Sequence, residues 1–90
     1  IGVKYRVKQG AEIAFEDGQR ALRLVRSRAR EWNIDPARVG VAGQSAGAHL
    51  VLNLATRFTP GDSGSADLVE RQSSRPDFAV PLRLILLVLP

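Results

Sequence analysis

An α/β fold with a parallel sheet is predicted for this 90-residue chain, and three observations predict it. Strand-like and helix-like stretches alternate in the order strand, helix, strand, helix, strand, which is the signature of right-handed βαβ units. The final apolar run, Leu84-Ile85-Leu86-Leu87-Val88-Leu89, reads as a strand buried on both faces of such a sheet. The length allows one small domain, residues 1–90, and a hydrophobic content of 44% excludes a chain disordered by composition.

The first expected element is a strand, Ile1 to Val7. Ile1, Val3, Tyr5 and Val7 fall on one side; Gly2, Lys4 and Arg6 fall on the other. Gln9-Gly10 reads as the turn that follows. Ala11 to Trp32 is expected to be a helix, because Ala14, Ala21, Leu22, Val25, Ala29 and Trp32 recur at helical steps. Its acids lie towards the N-terminus and its arginines towards the C-terminus, the order that suits the helix dipole. Glu16 and Arg20 form a favourable i,i+4 pair. Asn33 tolerates the left-handed conformation at a helix end.

Asp35-Pro36 marks a turn, since the residue before proline is pushed out of the helical region. Arg38 to Ala42 reads as a short strand. An apolar helix is expected from about Ala46 to Phe58, with Leu50, Val51, Leu54 and Phe58 at helical spacing. Thr59 to Arg75 reads as a long polar loop. Phe78 to Leu89 forms the last element, with Pro81 and Arg83 fitting poorly inside a strand.

Composition narrows the function classes. The chain has no cysteine, so disulfide and thiolate–metal chemistry are excluded. The net charge is +4, but Arg20, Arg23, Arg26, Arg28 and Arg30 alternate with apolar residues and read as the solvated side of an amphipathic helix. Aromatic residues are sparse and not interleaved with the arginines, so no nucleic-acid partner is expected. The Leu84–Leu89 run is far shorter than the roughly 20 residues that span a bilayer, so no membrane segment is expected either. The chain opens on Ile1 with no basic-then-apolar leader, which leaves its compartment and oligomeric state open.

One motif carries chemistry. Gly43-Gln44-Ser45-Ala46-Gly47 fits G-x-S-x-G and sits between an expected strand and an expected helix, the setting of a nucleophile elbow. The turn must be tight, and Gly43 and Gly47 are the flanking positions where a side chain would clash. Ser45 would then project at the N-terminus of the following helix, where free N–H groups and positive potential face a developing oxyanion. The Ala46 N–H is the expected donor. Two other readings compete. One is a plain glycine-rich turn without chemistry. The other is a phosphate-binding turn, but the spacing of Gly40, Gly43 and Gly47 matches neither the dinucleotide nor the P-loop pattern.

His49 is the single histidine. It lies one turn along the helix from Ser45, pointing away from the nucleophile's exposed face, so it reads as a packing or hydrogen-bonding residue. Asp62, Asp67 and Asp77 read as loop or capping residues, and Asp17 as structural.

Asp17-Gly18-Gln19-Arg20-Ala21, Val25-Arg26, Ile34-Asp35-Pro36, Arg38-Val39-Gly40-Val41 and Gly43 to Leu50 together resemble the α/β-hydrolase superfamily. The nearest branch is similar to the acetyl-xylan and feruloyl esterase-like carbohydrate esterases, related to lipases and esterases with a Gly-x-Ser-Ala-Gly-Gly elbow. Val3-Lys4-Tyr5-Arg6 and Ser73-Ser74-Arg75-Pro76-Asp77-Phe78 add to the resemblance. It implies a three-layer α/β-hydrolase fold, here a partial βαβαβ segment with parallel strands. It also implies a serine carboxylesterase that deacetylates carbohydrate-type esters through an acyl-enzyme on Ser45, with a small-molecule or carbohydrate ester as substrate and no cofactor or metal. Ala48 stands where the family often has a second glycine, Gln44 replaces its usual Phe or Asp, and Val80 to Leu84 departs from its usual strand. The oxyanion loop, the acid and the late histidine of the family have no counterpart among these residues, so the resemblance implies an internal segment of a longer enzyme. The alternative is a catalytically inactive or binding-only relative.

Overall fold

The computed structural model describes residues 2–6, 9–44 and 46–82. Within them lie two helices and two strands: α1 (Ala11–Ser27), β1 (Gly40–Gln44), α2 (Ala46–Thr56) and β2 (Phe78–Leu82). β1 and β2 pair in parallel, from Gly40↔Phe78 to Gln44↔Leu82, with α2 as the connection between them. The fold class is therefore the predicted one, an α/β unit with parallel strands.

α1 starts where expected, at Gly10, which adopts φ 103° and accepts a bond from the Ala14 N–H through its carbonyl at 3.2 Å. It ends five residues before the predicted Trp32. The Arg28 N–H divides between the carbonyls of Leu24 and Val25, and Ala29 N–H reaches only back to Arg26, so the turn tightens. Turns then continue to Asn33, which has φ 55°. Asn33 N–H donates to Arg30 O and Ile34 N–H to Ala29 O, the paired bonds of a Schellman ending.

The buried stripe of α1 is Ala14, Phe15, Gly18 and Leu22, and Ala29 is buried just beyond the helix. Trp32 departs from the expected stripe: it is 39% exposed, beneath the Arg28 guanidinium at 6.0 Å from its ring centroid. Phe15, Leu22, Val39 and Leu54 form the centre of the core, with Val25, Ile34, Val41 and Leu50 against it. Arg57 joins the far ends of the two helices, pairing both guanidinium nitrogens with Glu12 and lying 4.2 Å over the Phe15 ring.

Three expectations are corrected. First, residues 2–6 are irregular rather than a strand, while Ile1 and Val7 lie outside the described residues. Side-chain alternation is local, but a strand needs a ladder partner, and residues 2–6 have none among the described residues. Second, β1 begins two residues later than Arg38 and runs on to Gln44. Third, the last strand starts at Phe78 as expected, its described part is Phe78–Leu82, and it contains Pro81, which was expected to fit poorly there; the Leu84–Leu89 run lies outside the described residues. Among the described residues β2 pairs with β1 alone, and Pro81 brings no N–H to a ladder. Phe78, Val80 and Leu82 are exposed there.

The arginines also depart from the expected solvated face. Arg20 pairs with Asp67 and Glu70 at 2.8 and 2.6 Å instead of with Glu16. Arg23 donates to the Gln72 carbonyl at 3.0 Å and to the Thr59 hydroxyl. Arg26 donates to the carbonyls of Pro36 and Ser73 and to the Asp77 carboxylate. The polar loop is thereby fastened along α1. Ser74, fully buried at 0% exposure, closes the loop's base: its hydroxyl accepts from the Thr59 N–H at 2.9 Å.

These pairs predict an acid limit to stability. Asp17 accepts the Arg6 guanidinium and the Arg6 N–H, which hold its carboxyl at about 2 against an ordinary 3.8. Arginine partners also hold Glu12 and Asp67 below their usual range. Burial opposes ionisation of Asp77, but the Val39 N–H and Arg26 outweigh it and its carboxyl too is lowered. Groups lowered by folding contribute their full stability above the unfolded value and lose it as pH falls through the folded one. The melting temperature is expected to be flat from about pH 7 to 5 and to fall between about pH 4 and 2. A thermal melt series checks this; a plateau that persists to about pH 2 would contradict it.

Candidate active site

The G-x-S-x-G motif sits at the junction of two elements. β1 delivers Gly43 and Gln44 as its last two residues, and α2 begins at Ala46. Ser45 itself lies outside the described residues. Ala46 is exposed at the helix start, and no acidic residue occupies the first turn of α2. The unpaired N–H groups of that turn therefore present positive potential with no carboxylate on the helix to offset it.

The two motif glycines are not equivalent. A Cβ on Gly43 would land on the Gly47 backbone, 2.6 Å from its carbonyl carbon and nearer still to its oxygen. The turn is so tight that only glycine fits there. A Cβ on Gly47 would meet only the Tyr5 hydroxyl, at 3.7 Å, which is an ordinary contact. Gly43→Ala is expected to cost about 1–3 kcal/mol by forcing the turn open. Gly47→Ala is expected to leave stability unchanged or raise it by up to about 1 kcal/mol, through helix propensity. Denaturant midpoints for the two variants test this, and equal effects would contradict the asymmetry.

Tyr5 brings the segment before α1 beside the elbow. Between that segment, β1 and the helices lies an open cavity of about 670 Å³, lined among others by Val3, Tyr5, Gly43, Gln44, Gly47 and Leu50.

The remaining candidates are dispersed. His49 is exposed on α2, a correction to its expected packing role, and its carbonyl accepts from the Asn53 amide at 3.1 Å. Asp17 is engaged by Arg6, Asp67 by Arg20 and the Val69 N–H, and Asp62 by the Gly64 N–H. Asp77 is bound to Arg26 and Val39. The acids thus have the loop and structural roles expected of them. No cluster of three metal-ligating side chains occurs among the described residues.

Two features escaped the sequence reading: the arginine clamp on the loop and the pair of hydrogen bonds between Asp77 and Val39, the residue before β1. A signal for the first was present. Arg20, Arg23 and Arg26 share one strip of α1, and the loop's Asp67 and Glu70, with Asp77 just beyond it, are complementary charges.

A family profile described as alpha/beta hydrolase fold matches residues 1–90. An acetylxylan esterase of Xylanibacter ruminicola is 45% identical over 49 residues, 53% of this chain and 10% of that protein. The crystal structure of an acetyl ester-xyloside bifunctional hydrolase from Caldicellulosiruptor lactoaceticus aligns with a TM-score of 0.81 at 45% identity, covering 84% of this chain and 28% of that one.

Proposed function

This chain belongs to the alpha/beta hydrolase fold family, and on that premise we propose that residues 1–90 are the nucleophile-bearing segment of a longer serine ester hydrolase. The support is the strand-to-helix junction: a G-x-S-x-G motif in which Gly43 packs on the Gly47 backbone between the end of β1 and the start of α2. In the proposed chemistry the Ser45 hydroxyl attacks an ester carbonyl, its proton passing to a base. The Ala46 N–H donates to the oxyanion. The alcohol leaves with a proton, and water then hydrolyses the acyl-serine. The acetylxylan esterase and acetyl ester-xyloside hydrolase among the similar proteins favour acetylated sugars as the substrate class. The chemistry calls for no cofactor.

Base and acid are assigned outside this chain. His49 is exposed on α2, and Asp17, Asp67 and Asp77 are each held by an arginine. The 90 residues alone are therefore expected to show no serine-dependent turnover, because a serine without its base is a weak nucleophile.

The test is to treat the full-length protein with an organophosphate and map the adduct, alongside hydrolysis of a chromogenic acetate ester and of acetylated xylo-oligosaccharides. An adduct on Ser45 together with turnover is expected. An active protein labelled elsewhere, with Ser45 untouched, would refute the assignment. Turnover by the 90-residue chain that disappears in Ser45→Ala would refute the external base.

A further inference from the structure

We infer that Asp77, held by Arg26, is a positioning residue for Ser45: its bonds to Val39 set the register of β1 against β2 and so fix where β1 delivers the elbow. The inference rests on the reading of Ser45 as nucleophile. Asp77 and Val39 are doubly joined, the Asp77 N–H donating to the Val39 carbonyl at 2.7 Å and the Val39 N–H donating to Asp77 Oδ2 at 2.8 Å. The pair lies one step before the first rung of the ladder, Gly40↔Phe78. Arg26 Nη2 donates to the same Oδ2 at 2.9 Å, and its other nitrogens donate to Ser73 O at 2.9 Å and Pro36 O at 3.2 Å. Arg75 approaches the second carboxylate oxygen at 4.0 Å. One carboxylate therefore ties α1 to the entry of both strands.

A second contact fixes the same register. The Phe78 ring occupies the space where a Cβ on Gly40 would stand. A slip of one residue would press that ring onto the side chain of Val39 or Val41.

Register matters here because β1 ends at the elbow. A strand advances about 3.3 Å per residue, and a one-residue slip reverses every side chain between faces. A displacement of about 1 Å at a reacting group can cost roughly 100-fold in rate. Among the described residues β1 has β2 as its one partner, and the clamp lies at the start of their ladder.

The test compares wild type, Asp77→Ala and Asp77→Asn in the full-length protein. Organophosphate titration counts competent serines, and a chromogenic acetate ester gives kcat and KM per titrated serine. In Asp77→Ala, kcat per serine is expected to fall at least about tenfold with KM unchanged. Asp77→Asn keeps an oxygen for the Val39 N–H and is expected to recover most of that loss. A merely structural aspartate would reduce the number of titrated serines and leave kcat per serine as in wild type, which overturns the inference. If Asp77→Ala gives no folded protein, Arg26→Gln decides. A fall of at least about threefold in kcat per serine supports the role, and no fall overturns it. A wild type that is not labelled at Ser45 overturns the nucleophile reading itself, and the positioning role with it.

Discussion

Replacing Ser45 with alanine is expected to lower acetyl-ester turnover by the full-length protein by roughly 10⁴- to 10⁶-fold, with KM little changed. The size of the loss follows from the role proposed for Ser45. Attack, the acyl intermediate and its hydrolysis all pass through that hydroxyl, and alanine offers nothing in its place. What survives is binding and the oxyanion donors, which give a residual rate above water. Folding is expected to be intact, because the variant removes one oxygen and keeps the Gly43–Gly47 contact that shapes the turn. The measurement is steady-state hydrolysis with a melting curve of the same sample. A loss below about tenfold at unchanged stability would show that another group carries the reaction.

The second large effect is on stability. Arg26→Ala is expected to cost about 2–3 kcal/mol, the scale for removing the donor of hydrogen bonds to a charged, partly buried group. The side chain of Arg26 is 8% exposed and serves three acceptors from three segments: Pro36 before β1, Ser73 in the loop and Asp77 before β2. Its removal leaves the Asp77 carboxylate and two carbonyls short of their donor. Lysine does not restore the arrangement, since one ammonium cannot reproduce a planar fork directed at three oxygens. Arg38→Ala supplies the contrast. Arg38 is 85% exposed and 3.6 Å from Asp35, so its loss is expected to stay within about 1 kcal/mol. Urea unfolding of both variants decides, and comparable midpoints would contradict the difference.

The parts of the fold that were legible in the sequence are those with local causes. Asn33 ends its turn in the left-handed conformation, Gly10 opens α1, and the apolar spacing of Leu50, Val51 and Leu54 places α2 on the core. The strand-to-helix turn was legible for the same reason, since its tightness is written in Gly43; the expected clash at Gly47 is absent, because a side chain there would meet only the Tyr5 hydroxyl at 3.7 Å. Features that depend on distant partners were not legible. Arg26 on a polar helix strip reads the same whether water or a loop 47 residues away receives it. Val3 and Tyr5 alternate with polar residues, yet pairing depends on a neighbour that their own spacing does not name. Trp32 fits the helical period but falls beyond the point where the helix has already tightened. Pro81 reads as a strand breaker until the ladder shows it opposite Gly43, in a pairing that its own spacing does not name.

The three loop-fastening arginines are buried to different degrees: their side chains are 48%, 12% and 8% exposed for Arg20, Arg23 and Arg26. A fastening graded in this way opens like a zip. The outermost tooth, Arg20 on Asp67 and Glu70, is the one that dissolved salt screens, while the innermost is shielded from it. Amide hydrogens around Gly64 and Asp67 should exchange first and faster as salt rises, and those of Ser74 and Asp77 last. Protease nicking would follow the same gradient. The distal half of the segment can breathe or accept insertions while its root, where both strands begin, stays closed.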